Sequence, residues 1–576
     1  MTEQDDNETK RARSAYEAQI VSDSLVEFAQ LQTWRNVAAQ QWEEVAELIL
    51  PTSRNTFYYG SFNFPGQKKT DRQVDATGAM ALTRFSAILD SLLTPRNMTW
   101  HNLAASNDYV MKDRRVRLYF EEVTRRLFHY RYQPIANFSA QNSSQYQGLG
   151  AFGTANLLID RYMGHDGARG LRYKHLPLGE MFLRENHQGL VDGFCRWFRL
   201  TAVQAQQLFG ADKIGDQIKA ALEQKSQMPF EFLHRVCPRD DYDPDRLDAK
   251  GKIYASYYIS LIDKKLLREG GYNSFPVASS RYEQTPGEIY GRSPAMMVLP
   301  ALKTLNSEKK DFLVQGHRAV APVLLTTEDG VVNMSFRNGA MNAGGWSEDG
   351  HPLVGTLPHG NIQVSKEMMD EEKALIEGAF LTDLFKVLLG DPKIFTATQI
   401  VEMMAQRGIL IAPTIGRQQS EYLGPMIDRE MDVLNSMGLL PPMPGLLKEA
   451  KGEYKVIYSS PLARDMRSQE VAGFQRTLEL ALTIANATQD PAPLDPFDFD
   501  TAIPEIAQIQ SSPERWMASP EKIAQKRKNR SDAQQQQQQV QALPAQAAML
   551  KARAAIQKTG VTPENNTNAQ QTPQQS

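Results

Sequence analysis

Between Tyr290 and Leu389 the residue pattern changes period twice, and few folds accommodate that. Pro294 and then Pro300 suit the first turn of a helix, where a missing N–H costs nothing. The spacing therefore predicts a helix that starts just after Pro300. Leu302, Leu305, Lys309, Phe312 and Gly316 recur every three to four residues, and about 20 residues at 1.5 Å rise make a rod roughly 30 Å long. Ala321-Pro322 ends it. Val323-Leu324-Leu325, a turn at Asp329-Gly330, and Val331 to Phe336 then read as a hairpin. Asn338-Gly339, Gly344-Gly345, Asp349-Gly350 and Gly355 punctuate a turn-rich segment out to Ile362. Helix returns with Ser365 as a cap, and Glu367, Asp370, Glu371 and Glu372 suit the positive end of its dipole. Leu375, Ile376, Ala379, Phe380 and Leu384 give it an apolar face. Two rods flanking a small β tip hide only part of each apolar face from water, so the stretch calls for partners.

Length and composition bound the rest. A chain of 576 residues has room for three or four cores of ordinary size. Hydrophobic residues at 41% and charged residues at 23% are globular usage, so most of the chain is expected to fold. A net charge of −3 excludes coating of nucleic acid by bulk positive charge, and any DNA role must be geometric. Cys195 and Cys237 are too few for a disulfide framework or a four-cysteine zinc site and read as buried thiols in a reducing cytoplasm. The N-terminus lacks an apolar signal core, and no run approaches 18 apolar residues, so no secretion or membrane span is expected.

In chain order, Glu17 to Leu50 reads as helix with Trp34 and Trp42 as core anchors. Ala76 to Leu93 follows with Leu82, Phe85, Leu89 and Leu92 on one stripe, and then an arginine-rich helix from Lys112 to Tyr130. Gly148-Leu149-Gly150-Ala151-Phe152-Gly153 spells GxGxxG. A dinucleotide site needs an apolar strand directly before that motif, and Ser139 to Gln147 is polar, so the glycines read as a close helix contact. Leu157 to Asp160, Leu171 to His175, Met181 to Glu185, Val191 to Leu200 and the alternating Ile253 to Leu261 predict a β-rich subdomain, with a helix from Thr201 to Phe209. Further on, Gly390-Asp391-Pro392-Lys393 marks a turn between helices and Thr396 caps the second of them. A helix from Gln418 to Met437, a strand from Tyr454 to Tyr458 and a long helix from Leu462 to Ala487 come next. Asp495 to Asp500 lacks the glycine and terminal glutamate of a calcium loop and reads as a solvated loop. Beyond Arg530 the run Gln534 to Gln539 and an Ala/Gln/Pro/Asn/Thr tail predict disorder, save a helix near Ala545 to Gln557. The fold class is α+β, predominantly helical.

No catalytic, cofactor or metal constellation is expected: GxxxxGK[ST], HExxH and GxSxG are missing, and the nine histidines, His317 among them, are scattered. The order of Tyr290-Gly291-Arg292, Leu299-Pro300-Ala301-Leu302-Lys303-Thr304-Leu305-Asn306, β insert and acidic helix resembles the portal, or head-to-tail connector, proteins of short-tailed, podovirus-like bacteriophages. Asp75-Ala76-Thr77 through Thr94-Pro95, Trp100 and Leu103, and Phe152-Gly153-Thr154-Ala155 extend the resemblance over roughly residues 20 to 530. It implies a wing over 1–290, stem helices at 291–320 and 366–385, a β-rich clip at 321–365 and a tunnel loop at 386–397. Wing helices and a strand at 398–460, a crown at 461–530 and a disordered tail at 531–576 complete the division. It further implies a dodecameric ring at the capsid vertex joining head and tail, assembled in the host cytoplasm. Double-stranded DNA would be packaged and ejected through it, with terminase, major capsid, scaffolding and tail adaptor proteins as partners.

Within that scheme Leu305, Phe312 and Phe380 are candidates for stem packing against neighbouring subunits. Glu367, Asp370, Glu371 and Glu372 would form an acidic channel wall, and Lys386 and Lys393 would touch the DNA backbone without reading bases. Trp346, with Phe336 and Arg337, would anchor partners at the clip, the alternative being that Trp346 packs its own loop. Two other functions stand beside this one: a ring-forming, nucleotide-dependent DNA translocase, which needs a phosphate-binding loop, and a non-portal tail or adaptor protein.

Overall fold

The computed structural model describes residues 3–58, 66–164, 167–326, 335, 337, 340–341, 346–347, 349–356, 362–382, 411–450, 452–459, 461–509 and 516–558. Helix α1 (Glu3–Leu48) begins well before the expected Glu17. It is followed by α2 (Thr77–Leu93), β1 (His101–Ala105), α3 (Arg114–Arg131) and α4 (Phe138–Phe152). Trp42 is buried on α1 and touches the rings of Phe57 and Tyr290 at 5.7 and 5.1 Å. Trp34, expected to be a core anchor, is 61% exposed, because the buried face of α1 runs through Leu31, Arg35, Ala39, Trp42 and Val45 and leaves it to one side.

The β-rich region contains two sheets. Strands β2 (Thr154–Met163), β3 (Arg169–Leu176) and β9 (Val277–Arg281) form one in the order β3-β2-β9. The other is an antiparallel meander of β4 (Met181–Glu185), β5 (Val191–Thr201), β6 (Pro229–Pro238), β7 (Tyr254–Ser260) and β8 (Lys265–Tyr272). Alternation along these strands separates two faces. Cys195, Trp197, Leu233, Tyr257 and Ile259 pack on Ile20, Val21, Phe28 and Leu31 of α1. Phe198, Phe232 and Leu267 pack under α5 (Ala202–Phe209) and α6 (Asp216–Glu223). Cys195 and Cys237 are free, buried thiols.

The GxGxxG run lies in α4 and ends at Gly153, which closes the helix at φ +73°. A Cβ on Gly150 would stand 2.7 Å from Leu82 and Phe85, so the glycine lets α2 and α4 touch. Helix α7 (Leu299–Val320) leaves the core, and α8 (Ile362–Ala379) returns to it. Between them β10 (Leu324–Thr326) pairs with β11 (Val354–Thr356), on the far side of the glycine-rich segment. Most of the expected local partner, Val331 to Phe336, lies outside the described residues. After residue 411 the chain runs through a π-turn at Gln419–Leu423 into α9 (Gly424–Ser436), and β12 (Tyr454–Tyr458) pairs with β1.

Helices α10 (Pro461–Thr488), α11 (Phe499–Ile509) and α12 (Pro520–Lys558) end the described chain. Two expectations change here. Asp495 to Asp498 do form a solvent-exposed loop, but it ends as a helix cap: the Asp498 carboxylate accepts the N–H groups of Asp500 and Thr501 at 3.0 and 3.3 Å and starts α11, which takes in Phe499 and Asp500. The glutamine run is helical rather than disordered, since Ala, Gln, Lys and Arg all favour helix even without a packed face. Residues 559–576 lie outside the described residues. Among the described residues no helix is long and apolar enough to cross a membrane.

Candidate interaction site: the helix pair and its tip

The root of α7 is fixed by burial of Leu299, Ala301, Leu302 and Leu305. Polar ties add to this: Lys303 Nζ lies 2.7 Å from Glu44, and the Asn306 side chain accepts from Val74 N at 2.7 Å and donates to Arg72 O at 3.1 Å. Met369, Ile376 and Phe380 root the other end of the pair, with the Phe380 ring 5.9 Å from that of Phe85. The stem-packing candidates therefore divide. Leu305 and Phe380 are consumed inside their own subunit, because their stripe faces α2 and the core, and Phe312 is partly buried against the same core.

Beyond the root, both helices project. Stepping about 100° per residue, Val364, Met368 and Leu375 line up on a second face of α8, turned more than a quarter-circle from Met369, Ile376 and Phe380. They are 49%, 51% and 58% exposed. On the outer side of α7, Val314 is 43% exposed among Lys310, His317 and Arg318.

The four carboxylates expected to share one wall do not share one face. The helix begins at Ile362, so Ser365 lies inside it and these acids fall after its first turn. Glu372 turns toward α7, where one of its carboxylate oxygens is buried without a hydrogen bond. Glu308 has a like-placed oxygen, and burial, then the charge of Glu372, push its carboxyl up. Asp370 holds Lys373 at 2.9 Å, and that hydrogen bond draws its carboxyl down. Glu367 accepts from Gln363 at 3.1 Å, and Glu371 stands exposed beside the second apolar strip.

At the tip, Trp346 and Pro352 bridge across a tight turn in which Ser347 N donates to His351 O at 2.8 Å. Trp346 is 68% exposed, so the turn presents the indole to solvent instead of covering it. Arg337 is exposed as well. Phe336, Lys386 and Lys393 lie outside the described residues.

Sequence reasoning passed over the buried ion pairs that hold the body together. Arg131 of α3 and Glu430 of α9 form an ion pair with both side chains fully buried, Nε to Oε1 3.0 Å. Tyr173 Oη donates to the same carboxylate, and the guanidinium lies over Trp100 and Phe128, 4.6 and 4.8 Å from their centroids. Burial opposes the Arg131 charge, but Glu430 outweighs it and raises the pKa. Arg281 likewise reaches Glu421 at 3.1 Å and Glu185 at 2.8 Å. The available signal was an arginine and a glutamate set on otherwise apolar helix faces.

Residues 24–517 match the family described as bacteriophage head to tail connecting protein. The chain is 26% identical over 543 residues to a "Probable portal protein" of Bordetella phage BPP-1, covering 91% of this chain and 93% of that one. It is 25% identical over 563 residues to the "Portal protein" of Salmonella phage epsilon15, covering 94% and 95%.

Proposed function

The chain belongs to the bacteriophage head to tail connecting protein family, and we propose that it acts there as a portal subunit, copies of which close into a ring at the head-tail junction through which double-stranded DNA is packaged and ejected. The role is structural, not enzymatic, and the motor that hydrolyses nucleotide is a separate terminase. The observation that carries the ring is the second apolar strip of α8, Val364, Met368 and Leu375, on a helix pair whose first strip is already spent on its own core. Burying such a strip is worth about 25 cal/mol per Å². The surface that fits it is the outer side of the next subunit's α7: Lys310, His317 and Arg318 around Val314 complement Glu367 and Glu371 beside the strip.

In this reading α7 and α8 are stem helices of a dodecameric ring, and the β10–β11 tip is the clip. Trp346 and Arg337 meet terminase during packaging and tail adaptor proteins afterwards. Major capsid and scaffolding proteins hold the wing. Of the four carboxylates, Asp370 supplies the negative charge of the channel wall, Glu367 and Glu371 being turned to the neighbouring subunit and Glu372 inward. Lys386 and Lys393 touch the phosphate backbone. Negative-stain micrographs of the purified protein test the reading directly: a closed ring with a central hole and a flared rim is expected, and a uniform monomer under assembly conditions sinks it.

A further inference from the structure

We infer that the first turns of α12, residues 520–530, form a cationic collar that binds the phosphate backbone of double-stranded DNA. The choice of DNA as the polyanion rests on the portal reading; the collar itself rests on three observations. First, charge is segregated. In a chain of net charge −3, this short stretch carries Lys522, Lys526, Arg527, Lys528 and Arg530 against Glu521 alone. After Asp532 no charged residue follows until Lys551. Second, every side chain from Glu521 to Arg530 is exposed. Arg527 reaches Asp500 of α11, and among the described residues no hydrogen bond or ion pair holds the side chains of Lys522, Lys526, Lys528 or Arg530. The base is fixed all the same: Arg114 of α3 donates to Met517 O at 3.2 Å, and Ser519 Oγ accepts from Lys522 N at 3.3 Å.

Third, the sequence works against its own helix here. Lys522, Lys526 and Arg530 are like charges at successive i,i+4 positions, each pair destabilising a helix. Lys522 also stands in the first turn, where the helix dipole is positive and disfavours cations. A segment that breaks local rules in this way, with Arg527 the one cation paired inside the subunit among the described residues, is the mark of a functional surface. A polyanion relieves both conflicts, because each phosphate neutralises a lysine or arginine and releases a counterion. The collar begins at residue 520, past residue 517 where the family match ends. Contacts of this kind hold a duplex without reading its bases.

The test uses the full-length protein and a short fluorescent DNA duplex, titrated across a salt series, with ring mass by light scattering on the same samples. The triple variant Lys522→Gln, Lys526→Gln, Arg530→Gln keeps the Arg527–Asp500 contact. It should weaken duplex binding about tenfold or more at low salt and lower the slope of log K against log salt by about 2 to 3. Affinity and slope unchanged in the variant overturn the collar. Loss of binding to phosphatidylserine vesicles with duplex binding retained overturns it too, in favour of a lipid surface. A variant that forms rings but binds the duplex like wild type leaves the portal reading standing and removes the collar. Wild-type protein that never forms rings removes the portal reading, while the duplex titration still decides the collar.

Discussion

Gly153 and Gly291 meet backbone to backbone: a Cβ on Gly153 would stand 2.3 Å from the Gly291 carbonyl oxygen, and one on Gly291 would stand 2.4 Å from that of Gly153. Gly291 N also donates to Thr154 Oγ1 at 2.8 Å, so the end of α4 and the approach to α7 are joined here. Two glycine signatures far apart in sequence are thus two halves of one contact.

Gly153→Ala combines that clash with a φ of +73°, and strain of the backbone alone costs on the order of 1–3 kcal/mol. It should lower the urea midpoint sharply. Gly316→Ala, on the projecting part of α7 with nothing near its Cβ position, should raise stability by about 0.4–1 kcal/mol. Equal midpoints for the two variants would refute the backbone contact.

Glu430→Gln leaves Arg131 as an uncompensated buried charge and should destabilise the subunit by about 3–5 kcal/mol. The double variant Arg131→Met, Glu430→Leu should recover most of that loss, since neither charge remains to be solvated. Thermal unfolding of the three proteins decides it, and a double variant as unstable as the single one speaks against the pair as the cause.

Phe380→Asp and Leu375→Asp separate folding from assembly. The first places a carboxylate in the core beside Phe85 and should yield little folded protein. The second alters a side chain that is 58% exposed and should give a folded subunit that fails to form rings. Circular dichroism with light scattering reads both; a ring of normal mass from Leu375→Asp removes the strip from the interface.

Acid should destabilise the body before it reaches the carboxylates. Burial lowers His101 and His234 well below their ordinary value and His175 to about 4; Arg131 adds to the shift at His101, and Arg196 and Arg268 at His234. Each takes up a proton in the unfolded chain below about pH 6.5 but not in the folded one. The unfolded state therefore binds more protons, and stability is full above pH 6.5 and lost as pH falls below it, by about 1.4 kcal/mol per pH unit for each histidine. Between pH 6.5 and 5 the slope should fall by about a third in His101→Gln. An unchanged slope assigns the proton to another group.

Trp346→Ala should leave ring mass intact and weaken terminase binding by on the order of 2 kcal/mol, the scale of an interface hot spot. Equal affinity of the two rings, measured by surface plasmon resonance, would leave the indole without a docking role.

The parts of the fold that were legible in the sequence are those set by local chemistry. Pro300 marked the start of α7, Thr201 capped α5, and alternation from Ile253 to Leu261 gave β7. What failed was non-local. β10 pairs across the glycine-rich segment, and no pattern near Leu324 encodes Val354. Helical spacing set Trp34 on a stripe with Ala38, Val45 and Ile49, whereas the buried face is centred on Arg35, Ala39 and Trp42 and leaves Trp34 at its edge. The four acids of α8 looked like one wall because sequence lists them in a row, whereas 100° per residue sends Glu372 inward and Glu371 outward. Arg131 and Glu430 were invisible as a pair because 299 residues separate them.

That separation has a consequence for how the subunit is made. The body of the first 300 residues is closed by α9 and by β12, whose strand supplies the partner of β1. During synthesis the N-terminal part must wait, with Arg131 uncompensated and the β1 edge open, until residues 430–458 have emerged. Such long-range closure is slow and leaves partly folded chains exposed to chaperones and proteases. A chain terminated early, even with both helices of the projecting pair complete, cannot shut its own core. The topology thereby makes closure of the core depend on synthesis through residue 458.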